Sequence, residues 1–179
     1  MADTVMARYS LSRARWHYEH GLVVKAIAEV GEATGNRRYE QFVQAWVDHF
    51  VTEDGNIRTY RIEEFNLDQI NPGKLLFRCR QSGGKDRYTR AIDLLYDQLQ
   101  NQPRTQSGGF WHKQIYPFQM WLDGIYMAGP FCAEYARTFA APEVLDGVTH
   151  QIMLIEQHAR DPRTGLLYHA WDETRQQRW

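Results

Sequence analysis

Asp123 is the first residue in this chain to suspect of chemistry. The run Gly109-Phe110-Trp111-His112-Lys113-Gln114-Ile115-Tyr116-Pro117-Phe118-Gln119-Met120-Trp121-Leu122 leads into Asp123-Gly124 without another carboxylate. A carboxylic acid in apolar surroundings resists ionisation, because desolvation disfavours its charged form, so it can keep a proton near neutrality and deliver it. Asp123 is therefore the candidate general acid. The structural alternative is a buried acid satisfied by a hydroxyl or by Lys113. A second carboxylate, Asp68, stands three residues before Asn71. It could face the same mouth, or it could bond locally with Asn66 and Gln69 as turn chemistry does.

His112 follows Phe110-Trp111, and His169 lies between Tyr168 and Trp171. A polar tip flanked by rings can hold sugar hydroxyls while ring faces stack, although a lone histidine serves equally well as a satisfied core residue. The pair His17 and His20, in Trp16-His17-Tyr18-Glu19-His20, has a spacing that suits zinc on a helix, but no third ligand is identifiable and no metal is expected. No phosphate-binding loop, dinucleotide-binding glycine motif or Gly-x-Ser-x-Gly elbow is present. No cofactor is expected either.

Composition narrows the classes. The 21 basic and 22 acidic residues nearly cancel and form no run of like charge, so nothing electrostatic favours nucleic acid or an anionic membrane. Six Trp and ten Tyr raise the aromatic share to 13%, a usage that fits core filling and also stacking on flat ligands. Cys79 and Cys132 match no metal or redox spacing and are expected as buried, reduced thiols. Met1 to Arg15 lacks the apolar segment of a signal peptide, and no stretch approaches the roughly 20 apolar residues of a membrane span. A soluble, cytoplasmic protein is the expectation.

The elements that must hold these residues read as helices. Trp16, Leu22, Val23, Ile27 and Val30 predict a first helix that stops at Gly35, and Phe42, Trp46 and Phe50 predict a second from Asn36 to about Thr52. Asn71-Pro72 opens a third, with Leu75, Leu76 and Phe77, closed by Gly83-Gly84; Ile92, Leu95, Tyr96 and Leu99 mark a fourth over Lys85 to Asn101. A fifth is expected from near Pro117 to about Phe139, placing Asp123 two turns inside it with a kink at Gly129-Pro130. Pro142 opens the last, with Leu145, Val148, Ile152 and Ile155 on one side. A short β-hairpin is possible at Asn56 to Phe65. The segments Gly35-Asn36-Arg37-Arg38-Tyr39 and Gly84-Lys85-Asp86-Arg87-Tyr88 share a Gly-x-x-x-Tyr spacing, each in the turn of a helical hairpin. The class is all-α, about six helices in three αα-hairpins within a single domain, residues 1–179. The tail from Asp161 to Glu173 breaks the pattern and gathers ligand-capable groups, as loops lining sites do.

Three separated motifs carry a resemblance. GFWHKQIYPFQMWLDGIYMAGPF from Gly109, NLDQINPGK from Asn66 and GLLYHAWD from Gly165 together resemble the unsaturated rhamnogalacturonyl hydrolases of glycoside hydrolase family 105. The resemblance implies an (α/α)6 toroid of twelve helices with its site at one end of the inner ring. It implies substrates whose non-reducing end is a 4,5-unsaturated uronic acid, as left on pectin by a lyase. It assigns the general acid to Asp123 of WLDG with Asp68 beside it, sugar contacts to His112 and His169, and a pocket wall to an aromatic near Tyr18; Trp121, Trp111 and Trp171 join these as candidate substrate-binding residues. The implied reaction is protonation of an enol ether, hydration and ring opening, with neither metal nor cofactor. Family members run to about twice this length and carry a later Trp-Gly-Arg motif. This chain is therefore expected to be an N-terminal half, truncated at its C-terminus, with an open seam that self-association or the missing half would cover. The competing readings are a non-catalytic helical module that binds sugar or a protein partner, and a repeat scaffold, which the ring-rich loops disfavour.

Overall fold

The computed structural model describes residues 1–179. The chain forms two compact units, Met1–Tyr60 with Asn71–Leu94, and Arg61–Ile70 with Leu95–Trp179. The six expected helices are all present, as α2 (Tyr18–Thr34), α3 (Arg37–Phe50), α4 (Lys74–Ser82), α5 (Lys85–Asn101), α6 (Leu122–Phe139) and α7 (Val144–Ala159). A short α1 (Ala2–Arg8) precedes them, and two three-residue strands, β1 (Gln119–Trp121) and β2 (Ala170–Asp172), pair antiparallel.

The first unit is built on α2 and α3. Gly35 ends α2 in the left-handed region, and the Asn36 side chain accepts from Arg38 N to open α3. Tyr39, Val43, Trp46, Val47 and Phe50 recur at helical intervals, so α3 buries one face. Trp16 stacks on Trp46 with ring centroids 5.5 Å apart, Phe50 lies 4.7 Å from Trp46, and Trp46 Nε1 donates to the Tyr9 hydroxyl at 2.9 Å. Full burial of such rings supplies about 1.5–3 kcal/mol each. The two Gly-x-x-x-Tyr turns behave alike, Tyr39 and Tyr88 both being buried in the opening turns of α3 and α5. Tyr88 bonds to Asp48 and Arg87; burial first, and the Asp48 bond second, push its hydroxyl up to about 12.

Two expectations here change. In place of a hairpin over 56–65, Val51 and Ile57 make an isolated bridge, Arg58 N donates to Phe50 O, and Thr59 turns the chain away at φ +66°. Asn71-Pro72-Gly73 forms a separate 3₁₀ turn, so α4 starts only at Lys74. Proline still occupies an opening turn, where its missing N–H costs nothing.

In the second unit α6 packs on α7, and α7 also meets β2. The helix α6 runs on through Pro130. The stripe expected on α7 is split: Ile155 is buried, but Leu145 and Ile152 are exposed. Packing on two elements turns the buried side toward Gln151, Leu154, Ile155 and Ala159. Gln151 is buried because its amide binds the 108–110 loop, accepting from Phe110 N at 2.8 Å and donating to Gly108 O at 2.9 Å. No helix is long and apolar enough to cross a membrane.

Candidate active site

The site lies in the second unit, and its frame is main chain. Leu67 N donates to His112 O at 3.1 Å, His112 N to Gln119 O at 2.8 Å, and Leu122 N to His169 O at 2.7 Å. These bonds draw four separated segments together. The strand register, Gln119 opposite Asp172, Met120 opposite Trp171 and Trp121 opposite Ala170, fastens the last two side by side. Phe65 (φ +41°) and Phe118 (φ +64°) both lie in the left-handed region at the edges of this frame. Bulky residues held there cost on the order of 1–3 kcal/mol each and persist only where surroundings over-determine them. A Cβ at Gly109 would stand 2.1 Å from Met120 Sδ, so any side chain there would have to displace that buried methionine.

Asp68 sits in the 3₁₀ turn Leu67–Gln69, whose N-cap is Asn66, accepting from Asp68 N at 3.0 Å. The local turn bonding considered from the sequence is thus made by the Asp68 backbone. Its side chain, 4% exposed, is left for the interior, with Oδ2 2.7 Å from Lys113 Nζ and Oδ1 3.2 Å from His112 Nε2. The His112 contact is at ion-pair distance but lacks hydrogen-bond alignment. Lys113 therefore serves Asp68, where the sequence suggested it as a partner for Asp123.

Asp123 completes the group, with a correction to its setting. Gln119–Trp121 is strand, so α6 begins at Leu122 and Asp123 lies in its first turn, not two turns in. The carboxylate stands where the helix's unpaired N–H groups begin. Its Oδ1 is buried and has no hydrogen-bond partner. Ligand-type atoms of Asp68, His112 and Asp123 all lie within 4.8 Å of one another. Such a cluster could hold a cation. The positive charge beside its buried carboxylate, however, already comes from Lys113, and three donors around an ammonium are a poor match for a metal's closed ligand shell. Gly124 brings His112 close: a Cβ there would lie 3.2 Å from His112 Nδ1 and 3.3 Å from Leu67 Cδ1.

Aromatic rings gather around Trp121. His112 stacks on it at 4.5 Å and 6°, Tyr116 at 4.9 Å and 18°, and His169 and Trp179 meet it at 5.2 and 5.4 Å. The structure thus unites Asp68, His112, Asp123, Trp121 and His169. Trp111 packs beside Phe118 at 4.8 Å, at the rim of this frame. Trp171 goes elsewhere: it shares a ribbon face with Met120, stacks on His158 at 3.9 Å and packs against the Met120, Leu154, Ile155, Ala159 core. Tyr18 belongs to the first unit, opening α2 with its ring 4.9 Å from His17.

The tail's acids are used internally. Asp161 accepts from Arg163 N and Thr164 Oγ1, and Asp172 accepts from Thr174 and Gln177, bonds that outweigh burial and hold its carboxyl below the usual range. Lys113 as partner of Asp68, and Tyr116 and Trp179 as walls of the ring cluster, were missed by sequence reasoning. The i, i+5 spacing of Tyr116 and Trp121 belongs to no regular element, so only the loop's ring density could have pointed to it. A cavity of about 230 Å³ opens behind Trp121 and Gly124, among Tyr96, Leu99, Ala128, Cys132 and Val148. Its lining is mostly apolar, with Glu143 and Arg104 among it, and includes none of Asp68, His112 and Asp123.

Comparison with known proteins places the fold and the family. The chain is 27% identical to the unsaturated rhamnogalacturonyl hydrolase YesR of Bacillus subtilis (strain 168) over 180 residues, 97% of this chain and 50% of that protein. Among solved structures, a glycoside hydrolase from family 105 of C. acetobutylicum ATCC 824 superposes with a TM-score of 0.93 at 42% identity, over 99% of this chain and 49% of that one. A possible member of the same family from Klebsiella pneumoniae subsp. pneumoniae MGH 78578, at 22% identity and TM-score 0.76 over 88% of this chain and 41% of its own, shows the fold alone. The chain spans about half the length of the relatives it matches, in agreement with three hairpins of an expected six. Residues 1–179 match, from end to end, the family described as Glycosyl Hydrolase Family 88, and the chain belongs to it.

Proposed function

We propose that this chain carries the acid–base half of an unsaturated uronyl hydrolase acting on lyase-generated rhamnogalacturonan or pectin fragments. The relative named for unsaturated rhamnogalacturonyl hydrolysis supports that substrate class. The carrying observation is the pair of unlike carboxylates. Asp68 is paired with Lys113 at 2.7 Å, whereas Asp123 has an unbonded, buried Oδ1 within reach of the same space. Asp123 is then the group placed to exchange a proton with a bound substrate.

In this reading the Asp123 carboxylic acid protonates C4 of the enol ether, and the ring oxygen stabilises the resulting cation at C5. The Asp123 carboxylate next takes a proton from water as its oxygen bonds to C5. The hemiketal opens to a ketone at C5, and the hemiacetal left at C1 collapses and expels the remaining sugar as an alcohol. One water is consumed, and Asp123 ends protonated as it began. His112 and His169, both in contact with Trp121, hold hydroxyls of the bound sugar. Asp68 fixes His112 and Lys113 around the uronate end, where an ammonium offers a point charge to a carboxylate. We read residues 1–179 as part of one glycosidase domain working in the cytoplasm on imported fragments.

Loss of the ultraviolet absorbance of a lyase-generated unsaturated disaccharide tests this. The purified protein should bleach it, and Asp123→Asn should lose nearly all of that rate. An asparagine variant of full activity would remove the assigned acid; sugar binding without turnover would favour the non-catalytic module.

A further inference from the structure

Gln102 sits in what the sequence offers only as a polar loop, yet it is 3% exposed and fully bonded. Its Nε2 donates to Phe65 O at 2.6 Å and to Trp111 O at 2.8 Å, while its Oε1 accepts from Nε2 of Gln98, itself buried, at 3.0 Å. Phe65 is the residue before Asn66, the cap of the turn that presents Asp68. Trp111 is the residue before His112. One planar amide therefore spends its two hydrogens on the peptides that lead into the two facing site segments, and the rigid angle between those hydrogens sets how far apart the carbonyls lie. The Phe65 carbonyl leaves a residue at φ +41°, ψ +44°, a direction that neither helix nor strand satisfies, so a side-chain donor has to.

We propose that Gln102 is a positioning residue that holds Asp68 at its distance from His112 and Lys113, with Gln98 one helical turn earlier fixing which end of the amide faces the carbonyls. The proposal rests on the reading that Asp68, His112 and Asp123 form the reaction centre. No other side chain of this length does the same work. Glutamate would set oxygens against two carbonyl oxygens, and methionine has the shape but no hydrogens to donate.

The test combines turnover with a measurement that needs none. In the purified protein, Gln102→Met and Gln102→Glu should lower kcat by about 10- to 100-fold while KM stays within about 2-fold, because misplacement of a reacting group falls on the chemical step. In an Asp68→Asn background, Gln102→Met should cost less than about 3-fold more, since the residue acts through Asp68. Hydrogen exchange read by mass spectrometry should quicken about 10-fold or more in segments 63–70 and 109–114 of Gln102→Met, while segment 37–50 keeps its wild-type rate. Where Gln102→Met fails to fold, Gln98→Met, which removes the orienting bond and leaves both bonds from Gln102 to the carbonyls, should still quicken both segments and lower kcat by about 3- to 10-fold. Undiminished loss in the Asp68→Asn background, an unchanged kcat, or unchanged exchange in either segment would overturn the proposal. A wild-type protein without uronide turnover would instead remove the proposed function, and the exchange measurement would still decide the clamp.

Discussion

Gly124→Ala is the change whose outcome the structure sets most sharply. A methyl group at this position would approach His112 Nδ1 to 3.2 Å and Leu67 Cδ1 to 3.3 Å, short of the 3.5–4.0 Å optimum for such atoms by a few tenths of an ångström. Neither neighbour has room to yield. His112 is 1% exposed and stacked on Trp121, while Leu67 is 2% exposed in a turn pinned through its own N–H. Overpacking of this kind costs about 1–3 kcal/mol. Alanine returns at most about 1 kcal/mol of helix propensity, and less in the opening turn of α6, where Gly124 is the third residue. The net expectation is a loss of about 1–2 kcal/mol in urea unfolding, from the difference of those two terms. Turnover should suffer more, because the pressure falls on the His112–Asp68 contact: kcat lower by about 10- to 100-fold, against a KM that moves little. A variant that is both more stable than wild type and equally fast would show that Gly124 is not there to admit the imidazole.

Removing the ammonium, as in Lys113→Met, strands a carboxylate that is 4% exposed and should destabilise the protein by about 3 kcal/mol in urea; a change of less than about 0.5 kcal/mol would mean the pair behaves as a surface one. Burial, with Lys25 adding to it, pushes Lys74 down to about 8, below its unfolded value of about 10.4. Its favourable contribution is complete above the unfolded value and is lost as pH falls through 8, so Lys74→Met should flatten the rise of unfolding free energy over that window by about 1–2 kcal/mol after allowance for solvent. The comparison with wild type is essential, because Tyr88 and the two thiols, all raised, pull the other way above about pH 9. Burial pushes Cys79 and Cys132 up to about 12, so neither should react with a thiol reagent at about pH 8 until denaturant is added; prompt labelling of the folded protein would contradict their burial.

What the sequence disclosed followed its range of interaction. Helices α2 to α7 were legible because a buried face repeats every three or four residues and Gly35, Asn36 and Gly83-Gly84 punctuate it locally. Asp68, His112 and Asp123 were legible as candidates from residue type and setting, the motif resemblance joined them, and the structure brings them together. The strand β1 was invisible, since three residues show no period and its partner lies about fifty positions on; that omission displaced the start of α6 and put Asp123 in the wrong turn. Trp171 was grouped with the other rings because it is near His169 in sequence, but strand alternation turns it to the opposite face, against His158. Gln102 gave no sign, for an amide in a polar loop looks the same whether it faces water or two carbonyls.

Peptide groups, rather than side chains, tie the four separated stretches of the candidate site to one another through Leu67, His112, Gln119, Leu122 and His169. Every amino acid except proline brings the same donor and acceptor to such a lattice. Exchanging a half-buried side chain at such a knot, Gln119 or Leu122, therefore leaves the weave unpicked, and a library confined to those two positions, proline excluded, can vary the surface beside Asp123 with the scaffold left standing.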